Sequence, residues 1–371
     1  MDTASGAALF EQLQQLGEAH DLAGLGVCSV EPFAEVRDEM ERRLLSGEAG
    51  RRRFTYTDPS AATDIRSTFP WAESLVVAAA TYLPAAGRPG PASGNSGRIS
   101  RFATSDHYRP LRAALGEAAL QLVGAGHQAE VLVDDNRLVD RAAAVRAGVA
   151  WWGKSTMVLA PKFGPWLLLG SVVTDAPLPV TPPMTRDCGT CTACIPACPT
   201  GALDAEGVLD APRCISYWAQ TPGTIPVDIR EAWGDRLYGC DECLTACPPG
   251  QRWEEQESEM DGRVDLLFLL EKTDDELINE YSHFYVPRRD AGFLRRNALV
   301  GLGHSGSAAA VPVVAQLLGS SRPMLRLHAA WALGALGGAG AAAALAGAAD
   351  LETDVEVRSE IALAREQIDL A

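Results

Sequence analysis

The chain has 371 residues, of which 47% are hydrophobic, so it can fill the cores of two or three domains. No run of eighteen apolar residues occurs, which argues against a membrane-spanning helix, and the N-terminal stretch lacks the basic region of a signal peptide, so we expect a cytoplasmic protein. The formal net charge of −16 disfavours a general attraction to nucleic acid, although residues 251–280 alone hold eleven acids against three bases.

The first half of the chain alternates helical and strand patterns. Apolar residues at helical spacing predict amphipathic helices, whereas continuous apolar runs are typical of buried strands. Cys28 lies in one such run and is interpreted as a small buried hydrophobe. The predicted elements are, in chain order, helix 7–20, strand 24–30, strand 74–83, loop 84–97, helix 108–125, strand 129–133, helix 138–147 and strand 166–174. This order predicts an α/β domain with a central sheet over residues 1–177.

The cysteine spacing carries the most specific chemical signal. Eight of the nine cysteines lie within sixty residues, after a proline-rich linker at 177–183. Cys188 opens the spacing C-x2-C-x2-C-x3-C-P, Cys240 opens C-x2-C-x3-C-P, and Cys214 lies between them. Thiolates are soft ligands and a cubane cluster needs four of them, so eight suit two 4Fe-4S clusters. We therefore predict a ferredoxin-like electron-transfer domain over residues 178–255.

The spacing also assigns ligands to each cluster. In two-cluster ferredoxins the fourth cysteine of a run ligates the other cluster. The predicted ligands are Cys188, Cys191, Cys194 and Cys247 for the first cluster, and Cys198, Cys214, Cys240 and Cys243 for the second. Paired C-x2-C units also bind zinc, so two zinc sites are the alternative. Disulfides are disfavoured because a C-x2-C loop is awkward to bridge.

The remaining residues, 256–371, combine an acidic connector with internal repetition. LRRNALVGLG from Leu294 is echoed by LRLHAAWALG from Leu325, and more weakly by EVRSEIALAR from Glu356. Short helices at this period predict stacked HEAT-like helical repeats, which form surfaces for partners more often than active sites. The acidic connector is interpreted as a solvated helix and loop.

Four separate motifs, in this order, resemble the epoxyqueuosine reductases. GRISRFATSDHY begins at Gly97, VDDNRLVDRAAAVRAGVAWWGKSTM at Val133, CGTCTACIPACPTGAL at Cys188, and RCISYWAQT with YGCDECLTACP follows from Arg213. The resemblance covers nearly the whole chain. It implies an α/β cobalamin-binding domain like that of reductive dehalogenases, followed by the ferredoxin-like module and the repeats. Cobalamin enters only through this resemblance, because the D-x-H-x-x-G signature of histidine-ligated cobalamin does not occur.

The resemblance implies reduction of epoxyqueuosine to queuosine in the anticodon region of tRNA. Electrons would pass from an external donor, such as a flavodoxin or ferredoxin, through the clusters to cobalamin in a monomeric enzyme. Asp134 aligns with the proton donor of the family. A general acid must be neutral before transfer, so burial beside an apolar corrin should raise its pKa. The alternative is that Asp134 or Asp135 caps the helix that begins near Leu138.

The resemblance further implies a set of cobalamin contacts. Ser216 follows Cys214 by two residues, which would place the cofactor beside a cluster. Lys154 lies in a WWGK turn and is alternatively a surface lysine. The implied contacts are Arg66, Ser100, Asp134, Lys154 and Ser216.

Two groups of arginines are candidates for phosphate contacts, with solvated surfaces as the alternative. The residues are Arg98, Arg101, Arg109 and Arg112 in the first group, and Arg288, Arg289, Arg295 and Arg296 in the second.

Two other functions remain open at this point. A paralogous reductase with the same cofactors would act on a small molecule, and the family's frequent lysine after RCISY is absent here. A ferredoxin-type electron carrier would instead use its repeats to dock a protein partner and would have no active site. Conversion of epoxyqueuosine in tRNA would exclude the small-molecule reductase. Retention of cobalamin by the purified protein would exclude the electron carrier.

Overall fold

The computed structural model describes residues 3–51, 54–83, 94–251 and 262–370. These residues form two compact units, each assembled from separate stretches of the chain. The described stretches are 3–51, 54–83, 105–212 and 241–251 in the first unit, and 94–104, 213–240 and 262–370 in the second. The boundaries expected after residues 177 and 255 stay a prediction.

Both units contain strands and helices, and the helices range from four to seventeen residues. The strands are β1 (Gly24–Ser29), β2 (Ser74–Thr81), β3 (Ser96–Ile99), β4 (Ala129–Val133), β5 (Trp151–Trp152), β6 (Val158–Leu159), β7 (Leu167–Thr174), β8 (Leu203–Ala205), β9 (Val208–Leu209), β10 (Arg236–Tyr238) and β11 (Arg263–Asp265). The helices are α1 (Thr3–Ala19), α2 (Ala34–Ser46), α3 (Pro59–Thr63), α4 (Ile65–Thr68), α5 (Tyr108–Gly124), α6 (Asp140–Arg146), α7 (Ile215–Ala219), α8 (Val227–Glu231), α9 (Glu242–Thr245), α10 (Pro248–Gln251), α11 (Leu266–Glu271), α12 (Asp274–Glu280), α13 (Gly292–Gly303), α14 (Ala310–Gln316), α15 (Pro323–Leu336), α16 (Gly338–Ala349) and α17 (Val355–Leu370). No described helix is both long and apolar enough to cross a membrane.

The first unit is built on a four-stranded sheet in the order β1-β2-β7-β4. Its central strands, β2 and β7, are almost wholly buried, as their continuous apolar runs predict. All three pairings are antiparallel, whereas buried apolar runs of this kind are more typical of parallel strands. β1 carries Cys28 fully buried opposite Leu75, and burial raises the pKa of this thiol to about 12. The prediction that Cys28 is a small buried hydrophobe is confirmed.

Helix α5 lies very close to the sheet where β4 ends. Gly170 of β7 pairs with Val133, and a Cβ atom at Gly170 would lie 2.6 Å from Leu115 Cδ1 of α5 and 2.8 Å from Val133 Cγ2. A side chain at this position would therefore push the helix or the strand end away. The close approach fixes the position of Val133, after which the chain leaves the sheet at Asp134.

The second unit contains the sheet β10-β3-β11 and the C-terminal helices. Helices α13, α15 and α17 begin about thirty residues apart and alternate with α14 and α16, so the predicted helical pairs are present. Eleven of the twelve residues of α13 are buried, which makes it the centre of this unit. A buried ion pair, Arg230 Nη1 to Glu360 Oε1 at 3.0 Å, joins α8 to α17.

Two local predictions are wrong in this unit. Residues 96 and 97, expected within the loop 84–97, belong to β3, which pairs with both β10 and β11. The C-terminal part of the acidic connector was expected to be solvated, but α11 and α12 place Leu266, Leu269 and Leu277 in the core. The acidic side chains there lie on the outside of amphipathic helices, and α12 begins with a capping box between Thr273 and Glu276. Residues 252–261 and 84–93 lie outside the described part of the chain.

Candidate redox centre

Six of the eight clustered cysteines belong to the first unit, and four of these six interact electrostatically. Burial, together with the nearby thiolates of Cys188, Cys194 and Cys191, raises the pKa of the Cys247 thiol to about 12. Burial also raises the pKa of Cys194, again with contributions from Cys188 and Cys191. The charges of Cys188 and Cys191 act on both Cys194 and Cys247, so the four cysteines are close neighbours, and positive iron relieves the repulsion between thiolates. The structure thus brings together the four predicted ligands of the first cluster.

Short turns hold these cysteines on irregular backbone. Cys191 N–H donates to Cys188 O at 3.0 Å, and Cys247 N–H donates to Leu244 O at 3.1 Å. Within the described residues, no three His, Cys, Asp or Glu side chains gather closely enough for a single metal ion. A cubane fills the space between its ligands with iron and sulfide, so its thiolates stand farther apart than those around one ion. The donor set of four thiolates fits a cluster of this kind.

The other four cysteines are divided between the units. Cys198 and Cys243 belong to the first unit, and Cys214 and Cys240 belong to the second. Burial alone would raise the pKa of Cys198, but hydrogen bonds from the Thr200 side chain and from neighbouring backbone N–H groups outweigh it and lower the pKa. One of these bonds runs from Ala202 N–H to Cys198 Sγ at 3.2 Å. Donors aimed at sulfur stabilise a thiolate, the form that ligates iron.

In the second unit, Cys214 lies at the start of α7. It is the N-cap residue of this five-residue helix, and Ser216 follows in the first turn, half-buried. Any group that contacts Ser216 therefore lies within one helical turn of Cys214.

Lys154 is held beside the first cysteine group. Its Nζ donates to Gly189 O at 2.7 Å and to Glu206 Oε1 at 2.8 Å. The Glu206 carboxylate raises the pKa of Lys154, and the thiolates of Cys188 and Cys191 add to this effect. Lys154 is thus not an unattached surface lysine, and its position links it to the first cluster. Its predicted contact with cobalamin stays a prediction.

Asp134 follows β4 with a strained backbone. Its φ of 53° lies in the left-handed region, which residues other than glycine rarely adopt, and the residue is exposed. Helix α6 has Val139 as its N-cap and no side-chain capping bond, so Asp134 does not cap it. The neighbouring Asp135 carboxylate accepts hydrogen bonds from Arg137 N–H and from the Arg137 guanidinium, at 2.7 to 2.9 Å. Asp134 is exposed at this turn, whereas Asp135 is partly buried.

Two residues near Asp134 were missed by sequence reasoning. Burial raises the pKa of Asp140 well above its ordinary value, and the charges of Asp134 and Asp135 raise it further. Burial likewise raises the pKa of Tyr108, with Asp134 and Asp140 adding to it. The turn therefore adjoins two groups, Asp140 and Tyr108, whose ionisation is disfavoured by burial. No sequence signal links Tyr108 to Asp134, because twenty-six residues separate them.

The raised pKa of Asp140 predicts a pH dependence of stability. A carboxyl whose pKa is higher in the folded state stabilises the fold below its unfolded pKa and loses that contribution as pH rises through the folded pKa. We expect wild-type protein to lose stability relative to Asp140→Asn as pH rises from 5 to 9, since the asparagine carries no charge. Thermal unfolding of both proteins across this range measures the difference. Parallel curves would contradict it.

The remaining predicted contacts have other partners in the structure. Arg66 Nε donates to Ala72 O at 3.1 Å, and Nη1 pairs with Glu31 at 3.3 Å. Ser100 is buried in the second unit against Gly239, where a Cβ atom would lie 2.4 Å from Ser100 Cβ. Gly239 has a φ of +77°, so glycine is required there for both reasons. The cobalamin roles of Arg66 and Ser100 stay predictions.

The arginines separate into buried and exposed sets. Arg101 and Arg296 are 2% and 0% exposed, so they are not surface contacts for phosphate. Arg295 pairs with Asp274, and Arg98 with Asp235 at 3.5 Å. Those with exposed side chains are Arg109, Arg112, Arg288 and Arg289.

Comparison with known proteins shows which families and relatives the chain is similar to. Residues 187–250 match the 4Fe-4S double cluster binding domain family, and residues 292–365 match the HEAT repeats family. An epoxyqueuosine reductase from Bacillus cereus is 33% identical over 370 residues, covering 95% of this chain and 96% of that protein. One from Bacillus subtilis is 31% identical, covering 95% and 94%.

Solved structures agree with the sequence relatives. A crystal structure of epoxyqueuosine reductase with an epoxyqueuosine-modified tRNA-Tyr stem loop matches with a TM-score of 0.88 and 30% identity, over 97% of this chain and all of that one. A Bacillus subtilis structure, in which the catalytic aspartate loop is swung out of the active site, matches with a TM-score of 0.86 and 29% identity, over the same shares. The predicted fold, the double-cluster module and the helical repeats are confirmed.

Proposed function

Because the chain belongs to the epoxyqueuosine reductase family and is thus an oxidoreductase, we propose that it reduces epoxyqueuosine to queuosine in tRNA. The observation that carries this proposal is the match over 97% of the chain to a reductase crystallised with a modified tRNA stem loop. The reaction consumes two electrons and two protons. Both C–O bonds of the oxirane break, a C=C bond forms, and the oxygen leaves as water.

The cysteines would hold two clusters in the predicted sets. The first set is Cys188, Cys191, Cys194 and Cys247, and the second is Cys198, Cys214, Cys240 and Cys243. The mutual electrostatic effects within the first set support its assignment. The clusters, when bound, supply single electrons. Lys154 would stabilise the more negative reduced form of the first cluster, because its ammonium adjoins Cys188 and Cys191.

Cobalamin is the proposed electron-delivering cofactor at the substrate. When bound, cobalamin would supply low-valent cobalt as the source of electrons. The proposed contacts remain Arg66, Ser100, Asp134, Lys154 and Ser216. Ser216 fits this role best, because its half-buried hydroxyl lies within one turn of Cys214. Electron transfer needs such a short separation between cofactor and cluster.

Asp134 is the proposed proton donor to the departing oxygen. The residue is exposed and has a left-handed φ of 53° directly after β4, while Asp135 is partly buried and bonded to Arg137. Strain of this kind concentrates at functional sites. The related Bacillus subtilis structure, whose catalytic aspartate loop swings out, supports a mobile acid in this family.

Arg288 and Arg289 are the proposed phosphate contacts. They are consecutive, both are exposed, and their φ values of 56° and 51° are both left-handed. Beside them, the Tyr285 backbone is fixed by the Tyr238 hydroxyl, which donates to Tyr285 O at 3.2 Å and accepts from Tyr285 N–H at 2.9 Å. The Tyr285 side chain is 54% exposed. Two guanidinium groups beside an exposed aromatic ring suit an RNA backbone and a base.

Replacing both arginines is expected to weaken tRNA binding. In Arg288→Gln/Arg289→Gln the affinity should fall about tenfold or more, and the magnitude of the salt slope should fall by about two, one for each lost phosphate contact. Fluorescence titrations with stem-loop RNA at several salt concentrations measure both quantities. The matched control is Arg358→Gln/Arg365→Gln, which removes the same charge from exposed positions of α17. Equal losses in both double variants would contradict a specific contact.

The protein partners and the location of the enzyme complete the proposal. A flavodoxin or ferredoxin would deliver electrons to the monomeric enzyme in the cytoplasm. Cys191 is the exposed cysteine of the first set, which makes that cluster a suitable point of electron entry.

A comparison of substrates tests the proposed function. Anaerobically reconstituted enzyme with a low-potential reductant should convert epoxyqueuosine in tRNA to queuosine, as measured by nucleoside mass spectrometry after digestion. Free epoxyqueuosine nucleoside should react far more slowly, since it lacks the phosphates. Conversion of neither substrate by protein containing both cofactors would favour a related small-molecule reductase.

A further inference from the structure

The second unit contains a fully buried arginine whose five N–H groups are all bonded to neutral oxygen atoms. Arg296 of α13 is 0% exposed. Its Nη1 donates to Thr221 O and Gly223 O, both at 2.7 Å, and its Nη2 donates to Trp218 O at 2.6 Å. Nη2 and Nε also donate to Asn297 Oδ1, at 2.8 and 3.1 Å. The complete donor set of a guanidinium is therefore used.

Neighbouring repeat residues bind the same backbone. Asn297 Nδ2 donates to Ala219 O at 3.0 Å. His328 of α15 accepts from Ile225 N–H at 3.2 Å through Nε2, while its Nδ1–H donates to Met324 O at 2.7 Å. Two repeat helices thus fix residues 218–225, which we call the exit segment because it comprises the last two residues of α7 and the chain that leaves this helix.

Packing of the repeats does not require an arginine here. Position 327 of the second repeat corresponds to position 296 of the first, and it holds buried Leu327. A buried cation is costly unless its bonds are complete, and burial lowers the pKa of Arg296 to about 9. The side chain still carries its charge at neutral pH. A leucine would fill this position of the repeat core. We therefore attribute the arginine to its hydrogen bonds with the exit segment.

The exit segment includes the C-terminal end of α7, the helix whose N-cap residue is Cys214. A helix of five residues is not stable by itself, and its last carbonyl groups lack intrahelical partners. Two of these carbonyls, at Trp218 and Ala219, receive the bonds from Arg296 and Asn297. A cation at this end is also favourable for the helix dipole. The C-terminal end of α7 is fixed by the repeats, and its other end carries Cys214 and Ser216.

We propose that Arg296 is a positioning residue, which holds α7 through the exit segment and thereby places Cys214 and Ser216 for electron transfer. The roles of Cys214 as a cluster ligand and Ser216 as a cofactor contact rest on the proposed function. On this account the repeats hold part of the redox centre in place, in addition to offering a surface to a partner.

Arg296→Gln in the holoenzyme tests this role. Amide hydrogen exchange over residues 215–225 should accelerate about tenfold or more, because several buried bonds are lost. Turnover per folded molecule should fall about tenfold or more, with the KM for tRNA unchanged. Arg296→Lys, which keeps the charge and part of the donor set, should restore turnover in part.

Arg326→Gln is the matched control. Arg326 of α15 also makes several bonds, two to Glu352 at 2.6 and 2.9 Å and one to Ser320 O at 2.8 Å, but none of these reaches the exit segment. It should lose thermal stability while keeping wild-type exchange over 215–225 and wild-type turnover. Equal losses of turnover in the two variants would overturn the proposal, because a general stability effect would then explain both.

Other outcomes also decide the matter. If Arg296→Gln does not fold, Asn297→Ala carries the test, since it removes the bond to Ala219 O and an acceptor of Arg296. Wild-type exchange over 215–225 in whichever variant folds would overturn the proposal. If wild-type enzyme does not reduce epoxyqueuosine, the proposed function fails, but exchange and iron content still report whether Arg296 positions α7.

Discussion

Cys247→Ser is expected to lose the first cluster and all measurable turnover. The Cys247 thiol is close to Cys188, Cys191 and Cys194, and a serine hydroxyl is a harder, more basic ligand that replaces a thiolate poorly. Iron content should fall from about eight to about four atoms per chain. Anaerobic purification followed by iron and sulfide analysis measures this, together with the turnover of tRNA.

The control for this variant is Cys28→Ala. Cys28 is fully buried on β1 and belongs to neither predicted ligand set, so iron content and turnover should match those of wild-type protein. Wild-type iron content in Cys247→Ser would contradict the ligand assignment. Zinc in place of iron in the wild-type protein would contradict both clusters.

Asp134→Asn is expected to retain both cofactors and lose turnover. Asparagine preserves the shape of the side chain and tolerates the left-handed backbone, so the turn should keep its conformation. It cannot donate an acidic proton, and loss of general acid catalysis typically lowers turnover about 10²- to 10⁴-fold. Single-turnover reactions with pre-reduced enzyme isolate the chemical step from the supply of electrons.

Asp135→Asn provides the comparison at the adjacent position. It weakens the bonds to Arg137, so it should reduce stability slightly and leave turnover close to that of wild-type enzyme. Full activity of Asp134→Asn would remove Asp134 from the mechanism. A large loss of turnover in Asp135→Asn but not in Asp134→Asn would show that Asp135, and not Asp134, is the proton donor.

Features encoded by nearby residues could be predicted from the sequence. Three ligands of the first cluster lie within seven residues, from Cys188 to Cys194, so their spacing alone indicates a cluster. Strand β4 has the predicted bounds because a short apolar run defines it. The helical repeats show themselves by a fixed period. In each case the signal and the structure occupy the same short stretch of chain.

Features that depend on distant contacts could not be predicted in this way. The association of Tyr108 with Asp134 and Asp140 depends on how α5 packs near the end of β4. Arg296 looked like a surface arginine because its sequence neighbours are also charged or polar, and only the exit segment explains its burial. The cofactor roles of all five residues, Arg66, Ser100, Asp134, Lys154 and Ser216, stay predictions.

A stoichiometric reaction with pre-reduced enzyme tests the central claim most directly. Holoenzyme is reduced under anaerobic conditions, freed of excess reductant, and mixed with tRNA that contains epoxyqueuosine. The account predicts one queuosine formed for every two electrons lost from the enzyme, observed as absorbance returning to that of oxidised clusters, and no product from oxidised enzyme. Queuosine formation without loss of electrons from the enzyme, or loss of electrons without queuosine, would contradict it.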